Sequence, residues 1–102
     1  MSSETPLAIT ITATGFAVSG EIDAHTASAI GQALDRSNRD GAVELDLSGV
    51  EFVDSSGLRA LIEAHQRFEA NGASLTLVRP SPAVVRLFEI SGVGDYFNVT
   101  TE

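Results

Sequence analysis

The stretch Val43–Leu61, VELDLSGVEFVDSSGLRAL, contains a strand, a turn and the beginning of a helix. Apolar residues alternate at its start, which predicts a strand with one buried face, and the letters SG at 48–49 predict a turn. A second apolar pair at 52–53 ends at the letters DSSG at 54–57. From Leu58 the apolar residues recur with the period of a helix. Two hydroxyl groups and a carboxylate are therefore predicted where a strand gives way to a helix.

The beginning of a helix is a favourable place for negative charge. The first backbone N–H groups have no partner inside the helix and carry the positive end of its dipole. A phosphate at this place would meet these N–H groups, and we expect the hydroxyl of Ser55, at the beginning of the helix, to be exposed. The residues alone leave a second interpretation open, because Asp and Ser are also ordinary N-terminal caps.

Length and composition favour one globular domain, residues 1–102, with a core of about 7–99. Hydrophobic residues make up 43% of the chain, and cysteine is absent. The sequence contains no run of 18 apolar residues, the length that a membrane-spanning helix needs. The first residues, 1–6, have neither the basic nor the apolar region of a secretory signal. We therefore expect a cytoplasmic protein.

The formal net charge of −8 argues against several classes of function. The basic residues are six arginines that form no cluster, so direct binding to nucleic acid or to anionic lipid is not expected. A basic protein partner suits the charge better. His25 and His65 have no neighbours at metal-ligand spacing, and no nucleophile elbow is present. We expect no metal site, no cofactor and no catalytic activity.

The order of elements predicts an α/β fold. A hairpin comes first, and strands then alternate with helices, which calls for parallel strands joined by right-handed crossover helices. The result is a mixed sheet of four to five strands, in which the first strand is antiparallel and the rest are parallel. The signals are alternation at 7–14 and 16–22, a cap at Asp23 or Thr26, a helix stop at 71–72, a strand at 74–78, a cap at Ser81 with Pro82 after it, a helix stop at Gly92 and a short edge strand within 93–99.

The carboxyl ends of neighbouring parallel strands meet at one edge of a sheet, where sites often lie. Asp23 follows the second predicted strand, and Asp54 follows the third. We therefore expect Asp23 to lie at the same edge as Ser55, so that the edge has a negative potential.

Three segments carry a family resemblance: GEID at 20–23, LDLSGV at 45–50 and FVDSSGL at 52–58. Together they resemble the STAS domain, and in particular the free-standing anti-sigma factor antagonists. The resemblance extends over about 7–99 and implies the STAS fold.

The resemblance implies a regulatory switch in sigma-factor-dependent transcription. Members of this type bind an anti-sigma factor that is also a serine kinase of the GHKL type, and phosphorylation by that kinase releases them. A PP2C-type phosphatase restores the active form. The acceptor of the family motif corresponds to Ser55, with its neighbour Ser56 as the second choice. The implied partner surface comprises Ile22, Asp23, Thr26, Asp54, Ser55, Ser56, Gly57 and Arg59, with Glu63 at its margin.

Two alternatives remain open at this point. The chain could be a nucleotide-binding module, although it has no lysine and no phosphate-binding loop. It could also be a STAS subunit of another assembly, such as a stress-signalling particle or a lipid-transport complex.

Overall fold

Five strands form one mixed sheet in the order β1-β2-β3-β4-β5. The computed structural model describes residues 7–36 and 41–101, so the remaining part of the predicted domain 1–102 lies outside the described residues. β1 is antiparallel to β2, and the other pairs are parallel, as predicted. The elements are β1 Leu7–Ile11, β2 Gly15–Ile22, α1 Ala27–Arg36, β3 Ala42–Val53, α2 Ser55–Ala70, β4 Ser74–Val78, α3 Pro82–Ser91, a 3-10 turn Gly94–Tyr96 and β5 Asn98–Thr100.

The helices cover one face of the sheet. α1 packs beside α2, and the ring of Phe97 contacts both His65 of α2 and Phe88 of α3. The strand residues beneath them are buried, with Leu45, Leu47 and Leu77 nearly inaccessible to solvent. The opposite face carries residues that are half-buried or exposed, among them Thr10, Ala17, Asp46 and Thr76. None of the helices in the described residues is long and apolar enough to span a membrane.

The turn predicted at 48–49 is wrong, because β3 runs without interruption through these residues. β3 contains two bulges instead. At the first bulge, β3 has one residue more between Asp46 and Gly49 than β2 has between their partners Ala17 and Ser19. At the second bulge, Val50 and Phe52 are two residues apart, whereas their partners on β2 are adjacent. The first bulge is tied by the Ser48 N–H, which donates to Asp46 Oδ1 at 2.9 Å. Each extra residue changes the side-chain alternation, so that Leu47 and Val50 are both buried although they are three positions apart.

Gly49 is required by the close approach of β2 at the first bulge. A Cβ atom at this position would lie 2.7 Å from the Ser19 Cβ. The dipeptide at 48–49 is therefore part of a strand, and Gly49 lies where there is no room for a side chain.

The first strand is shorter than the alternation predicts. β1 ends at Ile11, and the Ile11 side chain is 74% exposed although it shares the inner face with Leu7 and Ile9. The inner face of the hairpin is open to solvent beside Ile11. An open groove remains there, lined in part by Ile9, Ile11 and Ala33.

The predicted ends of the later helices are confirmed. Asn71 ends α2, and Gly72 follows with φ +74°. Ser81 caps α3 by accepting from the Val84 N–H at 3.3 Å, Pro82 is the first helical residue, and Gly92 ends the helix with φ +72°. The predicted edge strand is β5, which pairs with β4.

Candidate partner-binding site

Asp54 caps α2 and joins it directly to the end of β3. Its backbone is extended, and its Oδ1 accepts hydrogen bonds from the N–H groups of Ser56 at 2.9 Å and Gly57 at 3.2 Å. The Asp54 carbonyl also accepts from the Leu58 N–H at 3.0 Å. The expectation that these N–H groups would be free for a phosphate is therefore wrong for Ser56 and Gly57, because the Asp54 carboxylate already binds both.

Ser55 is the more accessible of the two hydroxyl residues. It is the first residue of α2 and is exposed, whereas Ser56 is half-buried. Within the described residues, the Ser55 hydroxyl has no hydrogen-bond partner. A modifying enzyme would reach Ser55 without unfolding the turn.

The end of β2 lies beside the end of β3, as expected. Ile22 pairs with Val53, and the Asp54 N–H donates to the Ile22 carbonyl at 3.2 Å. Asp23 and Asp54 each follow one of these paired residues. The two acidic residues therefore begin neighbouring turns at one edge of the sheet.

Asp23 and Thr26 cap the start of α1 reciprocally. Asp23 Oδ1 accepts from the N–H groups of His25 at 2.9 Å and Thr26 at 3.1 Å, and the Asp23 N–H donates to Thr26 Oγ1 at 2.9 Å. Both residues predicted as alternative caps thus take part, in the arrangement of a capping box. Burial raises the pKa of Asp23, but the hydrogen bonds from His25 and Thr26 outweigh it, and the net pKa is lowered from its ordinary value. The Asp23 carboxyl is therefore ionised at neutral pH.

Two residues of the predicted partner surface are buried in this structure, and their part in binding stays a prediction. Ile22 is 0% exposed, and Gly57 is also buried. A Cβ atom on Gly57 would lie 2.6 Å from Ile22 Cγ2 and 2.7 Å from Val53 Cγ2. The glycine lets α2 begin directly against the ends of β2 and β3, so both residues support the surface from beneath.

The remaining predicted residues form one surface at this edge, which we call the Ser55 surface. Asp23, Thr26, Asp54 and Ser56 are half-buried, and Ser55 and Arg59 are exposed. The Arg59 side chain has no hydrogen bond or ion pair with any described residue. In the part of the chain that the structure describes, no group of three His, Cys, Asp or Glu residues could hold a metal ion.

Sequence reasoning missed an apolar groove next to this surface. It has a volume of about 410 Å³ and lies between the end of β3 and α3. Phe52 and Ile90, which help to line it, are 49% and 76% exposed. The sequence shows Phe52 only as part of an apolar pair, and its exposure depends on the second bulge, whose position a single sequence does not reveal. The lining residues are Glu51, Phe52, Val53, Pro82, Ala83, Arg86, Leu87 and Ile90.

The fold and this surface agree with the comparison to known protein families, since the family model described as "STAS domain" matches residues 7–102. The chain belongs to the STAS-domain family. This finding confirms the resemblance carried by the segments at 20–23, 45–50 and 52–58.

Similar proteins of this family are named as regulators of sigma factors. The STAS chain is 36% identical over 84 residues to the anti-sigma-B factor antagonist of Listeria monocytogenes, covering 80% of this chain and 74% of that protein. It is 29% identical over 86 residues to the anti-sigma-B factor antagonist of Bacillus subtilis, covering 83% and 79%. The crystal structure of an anti-sigma factor antagonist from Mycobacterium paratuberculosis has a TM-score of 0.77 at 28% identity, covering 94% of this chain and 85% of that chain. These homologues support a role as an anti-sigma factor antagonist.

Proposed function

We propose that this STAS domain binds an anti-sigma factor that is also a GHKL-type serine kinase, and that phosphorylation of Ser55 by this kinase releases it. A PP2C-type phosphatase would reverse the modification, and the chain itself would act in the cytoplasm without catalysis. The observation that carries the proposal is the exposed hydroxyl of Ser55 at the first residue of α2, directly after the Asp54 cap.

The electrostatics of the Ser55 surface support a switch that acts through the partner. A phosphate would add about −1.5 to −2 charges at pH 7. Asp54 and Asp23 are close by along the same edge, and the Ser56 and Gly57 N–H groups are occupied. The new charge would therefore act mainly on the bound partner, by repelling it at the interface. A cost of about 1.4 kcal/mol there lowers affinity tenfold, so repulsion of a few kcal/mol would be enough to separate the proteins.

The apolar groove beside the Ser55 surface adds contact area for the same partner. It begins at Glu51–Val53, directly before Asp54. Aromatic side chains such as Phe52 are enriched in the buried cores of protein interfaces. Binding through the groove and switching through Ser55 would then be separate parts of one interface.

The first test is the mass of the protein isolated from its own host. Cleavage after arginine yields a peptide of residues 40–59, which contains Ser48, Ser55 and Ser56, so fragmentation must distinguish the three. We expect a single phosphate on Ser55, in an amount that changes with growth conditions. A phosphate on Ser56 instead would overturn the assignment of the acceptor.

Substitutions test the switch with the purified kinase partner. Ser55→Asp should lower affinity at least about tenfold by adding charge at the interface. Ser55→Ala should bind like the wild type but resist phosphorylation and release. Ser56→Ala is the matched control and should bind and be phosphorylated normally. Wild-type affinity in Ser55→Asp, together with continued phosphorylation of Ser55→Ala, would contradict the proposal.

A further inference from the structure

Most of the N–H groups at the start of α2 are not available to a phosphate on Ser55. In many proteins the N–H groups at a helix terminus bind phosphate directly. Here Asp54 Oδ1 occupies the N–H groups of Ser56 and Gly57 at 2.9 and 3.2 Å. The carboxylate would also repel a phosphate on the next residue. The phosphate would therefore be stabilised by a cationic side chain, if one is within reach.

Arg59 lies in the position to provide that cation. It is four residues after Ser55 in the same helix, so the two residues share one face of α2. Side chains on a helix lean towards its N-terminus, and Arg59 therefore extends over the turn that contains Ser55. An acidic group four residues before a basic one is also the favourable order for an ion pair in a helix.

Arg59 is available for this contact, unlike Arg67 and Arg79, which are already paired. Arg67 Nε is 3.1 Å from Asp35 Oδ1, and Arg79 pairs with Asp46. Arg59 has no ion pair or hydrogen bond with any described residue, although Glu63 is four positions away in the less favourable order. Its guanidinium group is exposed at the margin of the Ser55 surface.

We propose that Arg59 is the internal counter-ion of phosphorylated Ser55, forming an ion pair with the phosphate along the first turns of α2. This inference rests on the proposed function. In the unmodified chain the Arg59 cation faces the partner, and in the modified chain the phosphate holds it. Phosphorylation then changes the surface in two ways, because it adds an anion and withdraws a cation.

The test uses the full chain with phosphoserine incorporated at position 55 during synthesis, so that no kinase is needed. Phosphorus NMR measures the second pKa of the phosphate, which is about 6 for phosphoserine. Arg59 lowers this pKa by stabilising the dianion, whereas Asp54 and Asp23 raise it in all variants. In Arg59→Gln we expect the phosphate pKa to be about 0.2 to 0.4 higher than in the wild type, from the size of helical ion pairs.

Arg36→Gln is the matched control, because it removes the same charge from an exposed arginine in the last turn of α1. It should leave the phosphate pKa close to the wild-type value, and Arg59→Lys should restore most of the effect. Equal pKa values in the wild type and Arg59→Gln, or equal rises in both glutamine variants, would overturn the inference. Neither result would affect the mass and affinity tests of the proposed function, so the two can fail separately.

Discussion

Asp54 has two roles that substitution can separate, because its carboxylate both caps α2 and carries charge. Asp54→Ala removes the acceptor of the Ser56 and Gly57 N–H groups. We expect the free energy of unfolding to fall by about 1 kcal/mol, the usual cost of losing a cap. Asp54→Asn keeps an acceptor oxygen and should cost much less. Urea denaturation of the three proteins measures the difference.

A loss of stability in Asp54→Asn as large as in Asp54→Ala would show that the charge, and not the cap, stabilises the turn. If the cap dominates, Asp54→Asn becomes a folded protein with one charge fewer on the Ser55 surface. It would then report the electrostatic part of partner binding alone.

Gly57 and Gly31 offer a matched pair of glycine-to-alanine changes. In Gly57→Ala the new methyl group would lie 2.6 Å from Ile22 Cγ2. The start of α2 must then move away from the sheet, and we expect a loss of about 1–3 kcal/mol in the free energy of unfolding. In Gly31→Ala the nearest atom, Arg67 Nη2, is 3.6 Å away, so the change should stabilise α1 by about 0.5–1 kcal/mol. Thermal and urea unfolding would measure both, and similar effects of the two changes would contradict the packing argument.

At the scale of elements, β3 connects the functional edge to the rest of the sheet. Its first five residues pair with β4, and the strand then continues to Val53 beyond the end of β4. Asp46 lies where this extension begins. Its carboxylate accepts from the Ser48 N–H in the first bulge and pairs with Arg79, which follows β4. Asp46 therefore ties the bulged part of β3 to the loop before α3.

The contacts of Asp46 predict that the free energy of unfolding depends on pH. Burial raises the pKa of Asp46, but the hydrogen bonds from Ser48 and Arg79 outweigh it, so the net pKa lies below the ordinary value of 3.8. A lowered pKa in the folded state stabilises the fold above pH 3.8, and this contribution is lost as the pH falls through the folded-state pKa. At pH 7, Asp46→Asn should lower the free energy of unfolding by about 0.5–1 kcal/mol, since Arg79 is half-exposed.

Denaturation at a series of pH values tests this, because the difference between the wild type and Asp46→Asn should disappear in acid. Asp95→Asn, which changes an exposed carboxylate of the 3-10 turn, serves as the charge-matched control and should show little difference at neutral pH. A difference for Asp46→Asn that persists unchanged in acid would mean that the side chain contributes through packing and not through its charge.

At the scale of the whole molecule, the features predicted from the sequence were those set by local chemistry. Alternating apolar residues and the order of elements predicted the sheet, because a strand and a helix bury their apolar residues with different periods. Ser81, Pro82 and Gly92 predicted both ends of α3, since each has a backbone preference that fits its place. The junction at Asp54 was likewise located by its cap.

The features that the sequence could not predict depend on how elements cover one another. Ile11 continues the alternation of β1, but it lies at an open groove, and alternation does not reveal which part of a strand the other elements cover. The dipeptide at 48–49 has the composition of a turn, yet neighbouring β2 continues the pairing through a bulge. Ile22 and Gly57 belong to the matching motif but lie beneath the surface, and a motif does not distinguish support from contact.

The capping of both acidic turns by their own side chains has a consequence for how long a signal lasts. Asp23 and Asp54 hold the starts of α1 and α2 without help from any ligand. Under the proposed function, we therefore expect phosphorylation to leave the backbone unchanged. The two states would differ only in the phosphoserine ester, and the partner could distinguish them without waiting for a slow refolding step. The lifetime of the phosphorylated state would then be set by the rate at which a phosphatase hydrolyses the ester.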